Sequence, residues 1–137
     1  NGGFICENYG CIETGHKIPN IEKLLIIEKE LNNLIKKIQP DKIAIEKLFF
    51  FKNIKTVIAV AEARGVILAV CARNNKPVYE FTPLQIKQAV SCYGRADKKQ
   101  VQKMVKLILN LKDLPKPDDA ADALACAITC ANSLGPN

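Results

Sequence analysis

Pro40-Asp41-Lys42-Ile43-Ala44-Ile45-Glu46 is the run that decides the fold class. A proline turn opens it, Ile43 and Ile45 fall on one side with a period of two, and Glu46 arrives where the alternation stops. It therefore reads as a short strand carrying an acid at its C-terminal end. Helical patterns flank it on both sides. Upstream, Asn20 offers an N-cap, and Leu24, Ile27, Leu31, Leu34 and Ile38 recur at steps of three and four until Pro40. Downstream, a helix is expected from about Lys55 to Arg73; it is apolar on most sides and carries Ala59, Ala61, Ala63 and Gly65, which implies burial on more than one side.

The alternation of strand and helix continues outward. Pro77 to Phe81 reads as a second strand, and Thr82-Pro83 caps and starts a short helix that Gly94 ends. Asp97 caps the next helix, whose apolar stripe is Val101, Met104 or Val105, Ile108 and Leu111. Leu114-Pro115-Lys116-Pro117 makes a stiff linker to a final helix from Asp118 to Leu134, with Gly135 at its C′ position. Near the start, Phe4-Ile5-Cys6 and Tyr9 to Thr14 look like short strands around a Glu7-Asn8 turn. Strands alternating with helices argue for an α/β domain with a partly parallel sheet. Residues 1–137 are a usual length for one domain. The strands make a thin sheet for so much helix, so something is expected to be missing upstream of Asn1.

Composition narrows the class. A formal charge of +6 favours polyanions such as nucleic acid. Six cysteines, spread from Cys6 to Cys130 without a disulfide framework, read as reduced and intracellular. Cys126 and Cys130 share a helix face, but no second Cys or His pair has zinc-site spacing, and His16 is the single histidine. The most apolar stretch, Thr56 to Ala72, is interrupted by Glu62 and Arg64, so no membrane span is expected.

The chemistry gathers in two places. In Asp118-Asp119-Ala120-Ala121-Asp122, Asp119 and Asp122 project from one face at the start of a helix. Helix capping and the macrodipole account for Asp118 and in part for Asp119, but poorly for Asp122, beyond the first turn. The surrounding alanines permit close packing on a sheet, so these carboxylates can meet Glu46 at the strand end. Grouped acids need a cation, and hard oxygen ligands suit Mg²⁺ or Mn²⁺, ions that support phosphodiester hydrolysis. The preceding segment, Lys87 to Lys116, is strongly basic. Lys103, Lys106 and Lys112 fit the wet face of an amphipathic helix, whereas Lys87 and Lys98 are candidates for phosphate contact. Of Phe49, Phe50 and Phe51, at least one should be exposed, where an aromatic can stack on unpaired bases.

In this order, Pro40 to Phe49, Ala63-Arg64-Gly65-Val66, Val78-Tyr79-Glu80-Phe81 with Ile86-Lys87-Gln88, Asp97-Lys98-Lys99-Gln100-Val101-Gln102, and Asp118 to Thr129 resemble the RuvC-type Holliday junction resolvases. The resemblance runs from Cys11 onward over nearly the whole chain. It implies an RNase H-like mixed sheet flanked by helices and a homodimer. It also implies symmetrical, divalent-metal cleavage of four-way junction DNA in cytoplasmic recombination and repair, beside a branch-migration helicase complex. Carried over by position, it makes Glu46, Asp119 and Asp122 metal-binding catalytic carboxylates. Lys87 and Lys98 become DNA contacts, Phe49 the aromatic at the junction, and the helix around Ala63-Arg64-Gly65 the dimer-forming element. Members of the family begin with a strand carrying an Asp in a Gly-Ile-Asp-Pro-Gly type motif, then a second strand. Neither stands in this sequence, and neither Glu7 nor Glu13 sits in a matching motif. The expectation is a fragment of a longer resolvase, with a non-cleaving junction-binding module as the alternative.

Overall fold

Local capping chemistry sets several of the element boundaries in the computed structural model, which describes residues 3–47 and 54–134. Along the chain come α1 (Asn20–Ile38), β1 (Ile43–Glu46), α2 (Ile54–Arg73), β2 (Val78–Phe81), α3 (Pro83–Ser91), α4 (Lys98–Ile108) and α5 (Asp118–Leu134). Thr82 caps α3: the Gln85 N–H donates to its hydroxyl at 3.1 Å, and its own N–H donates to the Gln85 side chain at 2.8 Å. Asp97 and Gln100 close the same reciprocal box for α4, each bond at 2.8 Å. Two expected boundaries differ. Asn20 is itself the first helical residue of α1, because the Pro19 carbonyl already accepts from the Glu22 and Lys23 N–H groups and no side chain caps the start. Helix α3 stops at Ser91, with Cys92 in the left-handed region at φ 59°, rather than at Gly94. Gly94 lies against α3: a Cβ there would come within 2.8 Å of Leu84 Cδ1, so that exposed side chain would have to shift. Gly135 lies outside the described residues.

Strands β1 and β2 pair in a two-stranded sheet. The Ile43 N–H donates to Pro77 O and the Lys47 N–H to Phe81 O, so the register advances the same way on both strands and the pair is parallel. The expected N-terminal strands do not form ladders: residues 3–15 carry no strand among the described residues. Alternation alone does not make a strand without a hydrogen-bonding neighbour. Its packing consequence survives nonetheless, with Phe4 and Cys6 against the core and Ile5 88% exposed between them.

The described residues fall into two compact units, one drawn from 12–43 and 54–78 and the other from 3–11, 44–47 and 79–134. In the first, α1 and α2 close on Ile35, Val70 and Cys71. The buried position on α1 is Ile35, whereas Leu34 and Ile38 of the expected stripe are largely exposed. Eleven residues make about three turns, so Ile35 returns to the line of Leu24 while Leu34 swings to the side. Helix α2 is not buried on several sides: Ile58 and Val60 remain exposed, because α1 is the helix of its own unit that packs against it.

The second unit is built from β2 and helices α3, α4 and α5. Phe81, Ile86, Val90, Val101 and Val105 meet Ala125, Cys126, Ile128 and Cys130 of α5 in one core. On α4 the stripe runs through Val101 and Val105 to Leu109, with Met104, Ile108 and Leu111 packed at its margin. Small residues let α5 sit close: Ala120, Ala121 and Ala125 are essentially without exposure. The buried Thr129 hydroxyl is satisfied by donating to the Ala125 carbonyl at 2.8 Å. No described helix is long and apolar enough to cross a membrane.

Candidate functional site

Every residue of the candidate site belongs to this second unit, and each comes from an element whose position is fixed by pairing, capping or close packing. Glu46 ends β1, next to the bond from the Lys47 N–H to Phe81 O at 2.7 Å. Pro83, Ile86 and Lys87 come from the capped α3, Lys98 and Val101 from the capped α4, and Asp122 and Ala125 from α5. Together they line a pocket of about 220 Å³, with carboxylates and ammonium groups around an apolar floor.

The electrostatics follow from that arrangement. Burial first, and the Asp122 carboxylate second, push the Glu46 carboxyl above its ordinary range, while Lys98 and Lys87 pull it back. Asp122 is raised as well: burial leads, Lys98 opposes, and Asp119 and Asp118 add to the rise. Lys98 Nζ stands 3.9 Å from Asp122 Oδ2 and 3.6 Å from Asp118 Oδ2. Asp118 Oδ1 in turn accepts from Gln102 Nε2 at 3.0 Å. The buried Cys126 thiol is pushed up to about 12, by burial, then Glu46, then Cys130, so it stays protonated at neutral pH.

Of the residues expected to act together, four meet: Glu46, Asp122, Lys87 and Lys98 line one pocket. Asp119 is exposed and does not line it, although its charge reaches Asp122. Phe49 lies outside the described residues. Among the described residues, no three His, Cys, Asp or Glu side chains form a group spaced to hold a metal ion. The donor chemistry still suits a hard cation, since two partly buried carboxylates destabilise one another and no nitrogen or sulfur ligand lines the pocket. Sequence reasoning assigned Asp118 to the helix terminus and passed over Gln102. The available signal was the spacing of Lys98 and Gln102, which stacks both on one face of α4 beside the start of α5. A larger hollow of about 590 Å³, lined by Tyr9, Lys106, Asp113, Leu114 and Lys116, carries one carboxylate and lacks the opposed acids.

Comparison with known proteins places the chain in a family. The family model for the crossover junction endodeoxyribonuclease RuvC matches residues 2–130. A protein of that name from Halothermothrix orenii is 54% identical over 130 residues, which cover 95% of this chain and 79% of the relative. Its counterpart in Clostridioides difficile is 50% identical over 133 residues, 97% of this chain and 79% of the relative. Among solved structures, Thermus thermophilus RuvC in complex with Holliday junction substrate superposes with a TM-score of 0.85 at 33% identity, covering 90% of this chain and 74% of that one. Another structure of Thermus thermophilus RuvC gives a TM-score of 0.79 at 34% identity, over 86% and 71% of the two chains. The parallel strand pair with its flanking helices is thus part of an RNase H-like α/β fold. With a family model spanning nearly all its length and relatives half identical to it, this chain belongs to the RuvC family.

Proposed function

We propose that this chain is a structure-selective endodeoxyribonuclease that resolves four-way DNA junctions by metal-dependent phosphodiester hydrolysis. One observation carries the reading: Glu46 and Asp122, from different elements, oppose each other in a pocket flanked by Lys87 and Lys98. Acids held above their ordinary range by burial and neighbouring carboxylates, Asp122 for Glu46 and Asp119 with Asp118 for Asp122, are suited to a cation, and ammonium groups beside them are suited to phosphate. Glu46 and Asp122 would hold Mg²⁺, or Mn²⁺ in its place, with Asp119 as the proposed third carboxylate. When bound, such an ion supplies an activated water and stabilises the departing oxygen.

The chain's own residues do the rest. Lys87 and Lys98 would contact backbone phosphate beside the pocket and help to position the strand. Ile86, Val101 and Ala125 give the pocket an apolar lining, which strengthens the charge interactions beside it relative to open water. Phe49 is assigned to the unpaired bases at the crossover. Two copies joined through the open apolar side of α2, around Ile58 and Val60, would present two pockets for two symmetrical nicks. A cytoplasmic role in recombination and repair, beside a branch-migration helicase, completes the reading.

The alternative is a module that binds junctions without cutting them. It is favoured by the fact that two carboxylates, not three, line the pocket among the described residues. The experiment that separates the two is incubation with a labelled synthetic four-way junction in Mg²⁺ and in EDTA, with binding and nicking read on parallel gels. Paired symmetrical nicks in Mg²⁺ alone support the nuclease. Salt-sensitive binding without nicks supports the module, and loss of both overturns the two together.

A further inference from the structure

We propose that Asp118 is a positioning residue that, braced by Gln102, holds the Lys98 ammonium at the mouth of the acid pocket and keeps it from settling onto Asp122. The inference rests on the proposed role of Lys98 in phosphate contact and concerns what sets that side chain's place.

The geometry divides the work of one carboxylate. Asp118 Oδ1 takes the Gln102 amide at 3.0 Å, and Oδ2 faces Lys98 Nζ at 3.6 Å. Lys98 and Gln102 lie four residues apart on α4 and therefore share a face, so both reach the first residue of α5 from the same side. The amide fixes the plane of the carboxylate, and the carboxylate fixes the ammonium. Lysine needs such help because an unguided side chain spreads its long flexible stem over many rotamers.

Without Asp118, Lys98 still pairs with Asp122, 3.9 Å away, and its charge also reaches Glu46. The ammonium would move to the Asp122 carboxylate, neutralise it, and compete with any cation that needs it. Asp118 thus separates two positive charges that otherwise contend for the same acid: the lysine that meets phosphate and the ion that meets Asp122. It touches neither DNA nor the reacting atoms in this scheme, and acts through Lys98.

The pair is exposed on both sides, so the effect is modest, at about two- to fivefold. Asp118→Ala is expected to slow nicking at saturating junction by that factor and to weaken Mn²⁺ binding, read by calorimetry without DNA, by a similar one. Asp118→Asn keeps the Gln102 bond but loses the charge, and behaves like alanine. Neither change adds anything in a Lys98→Ala background, the mark of a residue acting through another. A lysine ¹³C-dimethyl NMR signal, assigned by its loss in Lys98→Arg, sharpens and shifts in Asp118→Ala and stays in place in the control Asp113→Ala.

Three results overturn the proposal. One is an unmoved Lys98 signal. Another is a loss of nicking that is equal in both backgrounds, as expected if Asp118 merely stabilises α5. The third is tighter junction binding with unimpaired nicking, as expected if Asp118 merely repels phosphate. Should the unaltered chain fail to nick, the proposed nuclease reading fails on its own, and the NMR and calorimetric arms still decide the role of Asp118.

Discussion

Helices α5 and α2 are both rich in small residues and use them in opposite ways. On α5, Ala120, Ala121 and Ala125 are buried against the core of their unit, and this close seating sets Asp122 beside Glu46. On α2, Ala61 and Gly65 are exposed, in company with Ile58 and Val60. Small size permits close approach in either case. What differs is whether the approaching surface belongs to the same unit. In α5 the contact is made and a pocket results; in α2 the face is left open, which supports the proposed pairing of two copies there.

The largest effect should come from the acids that α5 and β1 bring together. Glu46→Gln and Asp122→Asn are each expected to lower Mg²⁺-dependent nicking on the order of 10²–10⁴-fold while junction binding persists. The same changes should raise the melting temperature. A carboxyl whose folded pKa lies above its unfolded value binds its proton more tightly when folded. Its favourable contribution is therefore complete below the unfolded value and is lost as pH rises through the folded one. Removing the charge should stabilise the fold at about pH 7.5 and do nothing at about pH 3, below the ordinary carboxylate range. A melting temperature unchanged or lowered at both pH values would show that the two acids are not held against their preference.

Packing and charge beneath and beside that pair give intermediate effects. Ala125→Leu adds volume where no exposure remains and should cost about 1–3 kcal/mol of stability by urea titration. A cost near zero would mean that α5 is not held close. Lys87→Ala should shallow the salt dependence of junction binding, the logarithmic slope falling by about 0.9 for the single phosphate that the lysine no longer neutralises. An unaltered slope would return Lys87 to the solvated surface. Cys126, protonated and buried, should resist alkylation in the folded chain, whereas Cys11 and Cys92 are exposed and should react.

How much of this was legible in the sequence follows the range of the interactions involved. The boxes of Thr82 with Gln85 and Asp97 with Gln100 span three residues, and those helix starts were readable directly. The Glu46 strand end and the Asp122 face were readable as candidates, because period two and period 3.6 fix direction. Their meeting in one pocket, without Asp119 in its lining, depends on how α5 is rotated against the core, which spacing within one helix does not specify. Phe4-Ile5-Cys6 alternates correctly and still forms no ladder among the described residues, since a strand is a property of two segments. The burial expected around α2 failed for a related reason: an apolar girth does not record which surface, if any, lies against each side of a helix.

Gly65→Ala tests that last point with the smallest change. Gly65 lies inside α2, and a Cβ there would meet nothing within 4 Å. Within one copy, replacing a helix-interior glycine by alanine should therefore stabilise by about 1 kcal/mol through backbone entropy. If two copies pack through this face, the added methyl enters the interface and the sign depends on concentration. Melting should rise in dilute samples, where single copies dominate, while sedimentation at higher concentration should show weaker self-association than the parent chain. A rise at every concentration with association unchanged would place the second copy elsewhere. Open small residues on α2 would then mark a solvated helix, and the contrast with α5 would lose its functional meaning.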